Sequence, residues 1–461
     1  MEYGQNSFGQ VLSKRLKKIP LVALPIASLV LALPIGWNLW TALNRAQLPA
    51  PYQYHFERPL PGSVTQRLEQ EIAFYQERIR RDPETGIDRA FLANAYIKMA
   101  RATGEISWYL LGEQTAQESL VKLPFSNDGA LLALARVATA KHAFRDAMKL
   151  SQQAKPGQDT LTIAVIANLA MGQLIPARQS ADRLVAQNPD LAALTMKGLV
   201  DVSQGHDQAA MQSFQQGLKA EEPEEAGSSV WARTILGRLY FKRGQLEMAE
   251  KLYREALRVM PQYPPAMLNL AELEVRRGNY QTAEDLYSTI ALTSQRSPTV
   301  YDHIVFRGMA RVKELRGDPK STEEWRDRAE ARLRKDLTAF GHRRELARLL
   351  LERGRPQDLT EALSLMQQEI QVRRDAETMD TLAWVLTRLG RWQEAQTAMQ
   401  EALRWGIRDA ALFKRAGTIA GTLGNTTQAE AFFQAAQETD PTFDEQAQKA
   451  LGLGVGLLGL N

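Results

Sequence analysis

The chain has 461 residues, more than one compact hydrophobic core usually organises. It has no cysteine, which excludes disulfides, thiolate metal sites and a cysteine nucleophile. Its formal charge of +4 resides entirely in residues 1–46, where Lys14, Arg15, Lys17, Lys18 and Arg45 face only Glu2; the remaining 52 bases balance 52 acids. A folded body without excess charge argues against a nucleic-acid partner, because phosphate neutralisation drives such binding.

Residues 1–18 form a basic N-terminus. Ile19–Trp40 follows without a charged residue. As a helix this stretch is about 33 Å long, enough to cross a bilayer core of roughly 30 Å. Trp37 and Trp40 stand at its far end, where indole rings favour the interface. Four bases precede it and one follows, so the positive-inside rule leaves the N-terminus in the cytoplasm. A cleaved signal peptide is the rival, but its apolar core runs to roughly 7–15 residues and needs small residues before the cut. Here Asn44 or Trp40 would occupy the −3 place. An uncleaved single-pass anchor is therefore expected.

Residues 41–62 read as a tether, since Pro49, Pro51, Pro59 and Pro61 favour extended chain. Residues 63–82 predict a lone amphipathic helix that caps the next domain, with Ser63 and Gln66 placed as a capping box. Beyond it, apolar residues recur at helical spacing between Gly and Asp-Pro breaks.

A fixed period then emerges. Residues 230–263 contain Leu236, Gly237, Tyr240, Gly244, Ala249, Tyr253, Ala256 and Pro261. A shift of 34 gives Leu270, Ala271, Glu274, Gly278, Ala283, Tyr287 and Ile290. The frame returns in 376–409 as Leu382, Ala383, Leu386, Gly390, Trp392, Ala395, Met399 and Ala402. It repeats once more as Ala416, Gly417, Ala420, Gly424, Ala429, Phe433, Ala436 and Pro441. Small residues at the eighth and twentieth places let paired helices approach, and the large residue four later fills the gap between units. Gly ends the first helix, and Pro stops the second.

This pattern resembles the tetratricopeptide repeat family. The resemblance implies an all-α fold, a right-handed α-solenoid of helix-turn-helix repeats, here behind an N-terminal transmembrane helix. Residues 230–297 and 376–443 each hold two clear units. Weaker units occupy 84–225, through Tyr96, Ala116, Ala135, Phe144, Ala177, Gly198, Ala210 and Phe214. Atypical ones occupy 298–375, through Ala310, Gly317, Leu350, Gly354, Ala362 and Met366. Residues 444–461 form a Gly/Leu-rich tail too short to span a bilayer.

No chemistry-bearing constellation stands out. The five histidines have no metal-ligand spacing, and His142 and His206 fall at turns, where solvated side chains are expected. Glu221, Glu222, Glu224 and Glu225 read as a solvated loop. In the 323–348 charge run, Glu324 with Arg328 and Glu330 with Arg334 brace an exposed helix face, leaving Trp325, Ala329, Leu333 and Leu337 on another. Neither enzymatic activity nor a cofactor is expected.

The family resemblance further implies a concave groove, walled by the first helix of each repeat, that receives a protein or peptide partner. By register its residues are Trp231, Thr234, Arg238, Phe241 and Lys242, then Leu268, Asn269, Glu272 and Arg276, then Asp380, Trp384, Arg388, Lys414 and Thr418. Thr234 and Arg238 stand where the carboxylate-clamping subset of the family has Lys and Asn. The expected function is a scaffold or adaptor anchored in a bacterial cytoplasmic membrane. Its body would face the periplasm and serve assembly of envelope or membrane-protein complexes. The alternative is a regulatory or targeting subunit of a membrane enzyme complex.

Overall fold

The computed structural model describes residues 48–294, 297–335, 337 and 340–456. The expected membrane segment at 19–40 lies outside them; among the described residues no helix is long and apolar enough to cross a membrane. They hold twenty-two α-helices, preceded by one 3-10 turn at Ala50–Tyr52. Helix α1 (Ser63–Arg81) comes first. The helix pairs that follow are α2–α3 (Gly86–Thr103, Ile106–Lys122), α4–α5 (Asp128–Ala140, Phe144–Gln153) and α6–α7 (Gln158–Ala170, Leu174–Gln187). Next are α8–α9 (Leu191–Ser203, Asp207–Lys219), α10–α11 (Ala226–Lys242, Leu246–Val259) and α12–α13 (Pro264–Arg276, Tyr280–Ser294). The last four are α14–α15 (Asp302–Leu315, Pro319–Lys335), α16–α17 (Arg343–Arg353, Asp358–Glu369), α18–α19 (Ala376–Arg388, Trp392–Leu403) and α20–α21 (Ala410–Thr422, Thr426–Thr439). A short α22 (Glu445–Lys449) closes the series. This is an α-solenoid of helix-turn-helix units.

Helix α11 illustrates why these segments are helical. Ala249, Leu252, Tyr253, Ala256 and Val259 recur at three- and four-residue steps and are all buried. Glu247 in the first turn and Arg258 in the last complement the helix dipole. Asp190, Asp375 and Asp409 cap α8, α18 and α20 by accepting backbone N–H bonds from the first turn.

The spacing of small and large residues has the steric basis expected of it. A Cβ on Gly237 would stand 2.6 Å from the Tyr253 ring, and one on Gly417 equally close to Phe433. Tyr253 and Tyr287 are wholly buried. Tyr287 closes against Gly308 of the following pair, so this side chain seals the joint between units.

The solenoid also folds back upon itself. The turn inside each of four successive pairs meets the connection five pairs further along the chain. The ring nitrogen Nδ1 of His142 lies 3.2 Å from the Gly341 carbonyl oxygen. Arg374 N–H donates to the Ala170 carbonyl at 2.8 Å, and Arg404 donates to the Gly172 carbonyl at 3.1 Å. Gly205 lies against Gly406, and Arg408 pairs with Asp207 at 3.2 Å. At Gly244 a Cβ would approach Asp440 Oδ1 to 2.3 Å, while Arg276 donates to Asp440 and to Thr442. At this turn position His142 carries a positive φ of 58°, where its counterparts 172, 205 and 244 are glycines.

Several expectations are corrected. His142 is buried rather than solvated, because it fills this contact between windings. Residues 48–56 do not run free as a tether: Tyr54 N–H donates to Glu255 Oε1, Tyr54 hydroxyl to the Pro223 carbonyl, and Arg233 Nε to the Tyr52 carbonyl. Residues 57, 58 and 60–62 are exposed. Glu221 is buried and accepts both Nη groups of Arg233 at 2.8 Å. Gly62, not Ser63, is the cap residue of α1, so the expected capping box does not form. In the mixed-charge run Glu330 and Arg334 pair at 2.8 Å, with Ala329 and Leu333 buried.

Candidate functional site

Helices α10, α14, α16, α18, α20 and α22, with the segment after α22, surround a cavity of about 520 Å³. Nine Arg and Lys side chains and six carboxylates line it. Many are paired: Lys242 with Asp409 at 2.8 Å, Arg307 with Glu352 at 2.5 Å, Arg415 with Asp380 at 2.7 Å. Arg344 holds Glu345 at 2.8 Å. Arg348 donates to Thr381 Oγ1, and burial together with Arg344 pushes its guanidinium below the usual range. A cationic surplus thus lies inside an otherwise neutral body.

Five of the fourteen groove residues expected from the sequence line this cavity: Arg238, Lys242, Asp380, Trp384 and Arg388. Asn269 and Glu272 do not line it but hold the segment after α22, which does. Arg276 is buried in the contact with Asp440, and its guanidinium and that of Arg238 both lie over the Phe241 ring. Lys414 donates to the Phe443 carbonyl, and Thr418 is exposed. Thr234, Phe241 and Leu268 are buried in helix packing, and Trp231 lies partly buried against the same core as Leu236 and Tyr253.

Sequence reasoning left the role of the last segment open. Residues 451–456 run along α12 and α13 with Leu453 and Val455 buried. Its alternating glycines were the visible signal, since only a chain without side chains passes so close to Asn269 and Glu272. A second surface was also missed. Phe74 on α1 and Ile87 and Phe91 on α2 are exposed, and Phe91 stacks on Tyr75 at 5.4 Å. Exposed aromatic clusters of this kind mark contact surfaces.

A buried polar cluster lies beside the cavity. The rings of His303 and His342 are 4.6 Å apart, and His142 reaches the same loop from the preceding winding. Burial, with Arg373 next, lowers His142 to about 3, and burial with His342 lowers His303 well below its ordinary value. Burial and the Glu345 charge raise Glu369 to about 7. Burial opposes ionisation of Glu345 too, yet Arg344 and Arg373 hold it well below the usual range. Among the described residues no group of three His, Asp or Glu is arranged to hold a metal ion.

Comparison with known proteins fits this architecture. Tetratricopeptide repeat models match residues 240–302 and 376–404. Those two stretches are tetratricopeptide repeats, and repeats of this kind are typically interaction scaffolds rather than catalysts. No curated protein matches the sequence. Among solved structures, yeast Tom70 matches 85% of this chain and 92% of its own at 11% identity and a TM-score of 0.38. A monomeric mutant of IFIT1 with Gppp-AAAA matches 81% of this chain and 99% of its own at 12% identity and a TM-score of 0.41. Likenesses of that size speak to neither partner nor activity.

Proposed function

We propose that this protein is a membrane-anchored scaffold that holds other proteins while envelope or membrane-protein complexes are assembled. The observation that carries the reading is the way α12 and α13 grip the 451–456 segment. Asn269, Glu272 and Tyr287 bind its backbone, which is what a face built for extended polypeptide does. The Arg-rich cavity with Trp384 beside it supplies residue types that dominate binding hot spots. The exposed Phe74 and Phe91 offer a further contact.

A photo-crosslinker placed at Arg388 in the full chain is expected to capture partners. One at Thr397, on the exposed face of α19, is expected to capture at least tenfold fewer. Equal capture at both would sink the scaffold reading of this face, and a single stoichiometric enzyme at Arg388 would favour a regulatory subunit.

In the anchor reading, residues 19–40 cross a bacterial cytoplasmic membrane and the repeats face the periplasm. It rests on the uncharged stretch and the bases before it. Arg58→Cys, at an exposed position, should react with a membrane-impermeant maleimide in spheroplasts. Reaction only after lysis would put the repeats in the cytoplasm.

A further inference from the structure

The segment that follows α22 reads Leu-Gly-Leu-Gly-Val-Gly from 451 to 456. It is held by side chains that lie more than 160 residues earlier in the chain. Gly452 N–H donates to Glu272 Oε1 at 3.0 Å, and Val455 N–H donates to Asn269 Oδ1 at 2.7 Å. Between them the Tyr287 hydroxyl donates to the Leu453 carbonyl at 2.9 Å. Leu453 and Val455 are buried in the cluster that includes Leu268, Ala271 and Met309. At Gly454 a Cβ would stand 2.4 Å from Glu272 Oε2 and 2.5 Å from Asn269 Oδ1, so a side chain there would have to displace the groups that hold the segment.

Backbone contacts alternating with two apolar side chains are the means by which a surface recognises an extended peptide. Two features make this grip displaceable rather than permanent. Glycine-rich chain loses more conformational freedom on ordering than any other, which weakens the net hold. The segment also forms one wall of the 520 Å³ cavity through Gly452, Gly454 and Gly456, so a competing chain can enter beside it. Moreover Asn269 Nδ2 is buried and has no hydrogen-bond acceptor among the described residues. A ligand that presents a carbonyl there satisfies a donor that the resident segment leaves unmet.

We propose that residues 451–456 are a built-in occupant of the docking face on α12 and α13. The partner that displaces them is an extended, apolar polypeptide segment with glycine at the place of Gly454. This deepens the scaffold reading and rests on it: the same face would hold its own chain until a partner of like chemistry replaces it.

The test uses a fluorescent peptide of residues 449–456, KALGLGVG, with three full-length proteins. Gly454→Val is expected to eject the resident segment and bind the peptide at least tenfold more tightly than the unmodified chain. Adding Asn269→Leu is expected to remove that gain. A peptide with Val in place of the glycine that corresponds to Gly454 should bind none of them. Equal binding by the unmodified and Gly454→Val proteins, or indifference to Asn269→Leu, overturns the proposal. If Gly454→Val fails to fold, hydrogen exchange of the unmodified chain decides. The amides of Gly452 and Val455 should exchange at least a hundredfold faster than those of Leu270 and Ala271, and equal rates overturn the proposal. Partners captured at Arg388 in equal amounts by the unmodified and Gly454→Val proteins would leave the scaffold reading standing while self-occupancy fails.

Discussion

Arg233→Met is expected to destabilise the repeat body by about 3–5 kcal/mol, the cost of breaking one side of a buried ion pair. Arg233 is fully buried. Its two Nη groups meet Glu221 at 2.8 Å, Nη1 also meets Ser229 Oγ at 2.5 Å, and Nε donates to the Tyr52 carbonyl at 2.9 Å. Methionine matches much of the volume but leaves the Glu221 carboxylate buried without its cation. It also frees the Tyr52 carbonyl, so the 48–56 segment loses one of its fastenings. Urea unfolding at pH 7 measures the effect, and a loss below about 1 kcal/mol, the scale of an exposed pair, would refute this account. Arg233→Met combined with Glu221→Leu should recover most of the loss, since a well-packed apolar pair commonly replaces a buried ion pair at little cost.

Glu369→Gln should do the opposite and stabilise the protein, but only where the carboxyl is otherwise ionised. Burial and Glu345 raise Glu369 to about 7 from its ordinary 4.5. The fold therefore favours the protonated form. Stability is fully present below 4.5, declines as pH rises through 7, and above 7 carries the whole penalty of a buried charge. A tenfold difference in proton affinity between the folded and unfolded chain corresponds to about 1.4 kcal/mol, so the variant should gain on the order of 3–4 kcal/mol at pH 8 and almost nothing at pH 4.5. Comparing the two proteins at each pH cancels the contributions of His142 and His303, which run the other way. Those histidines are held neutral, so they favour the fold above about 6.5 and oppose it as the solution becomes more acidic. A gain that is the same at both pH values would show that Glu369 is not the titrating group.

The helix pairing was legible because it is local. Gly237 meets Tyr253, and Gly417 meets Phe433, within one unit, so the 34-residue spacing carries the contact directly. What the sequence could not display was contact between windings. Nothing near His142 announces Gly341, 199 residues on, and nothing near Gly172 announces Arg404, 232 residues on. The same limit applied to the candidate site. Register placed Asn269 and Glu272 on the inner face of α12, but Leu268 on α12 and Thr234 on α10, assigned to the same groove, are buried in packing between helices. The 451–456 segment has no repeat frame at all, so only the folded chain reveals its seat.

The fold-back contacts at residues 142, 172, 205 and 244 change what kind of solid this is. An open solenoid transmits force only between neighbours, and it stretches or twists through many small rotations. Here each of those joints is bridged by a contact to the winding beyond, several of them buried, such as Arg276 with Asp440. The stack is braced like a coil whose turns have been soldered together. Extension requires breaking those bridges, so the cavity keeps a fixed width. A partner of the kind proposed would then have to conform to that cavity, rather than the coil opening to suit it.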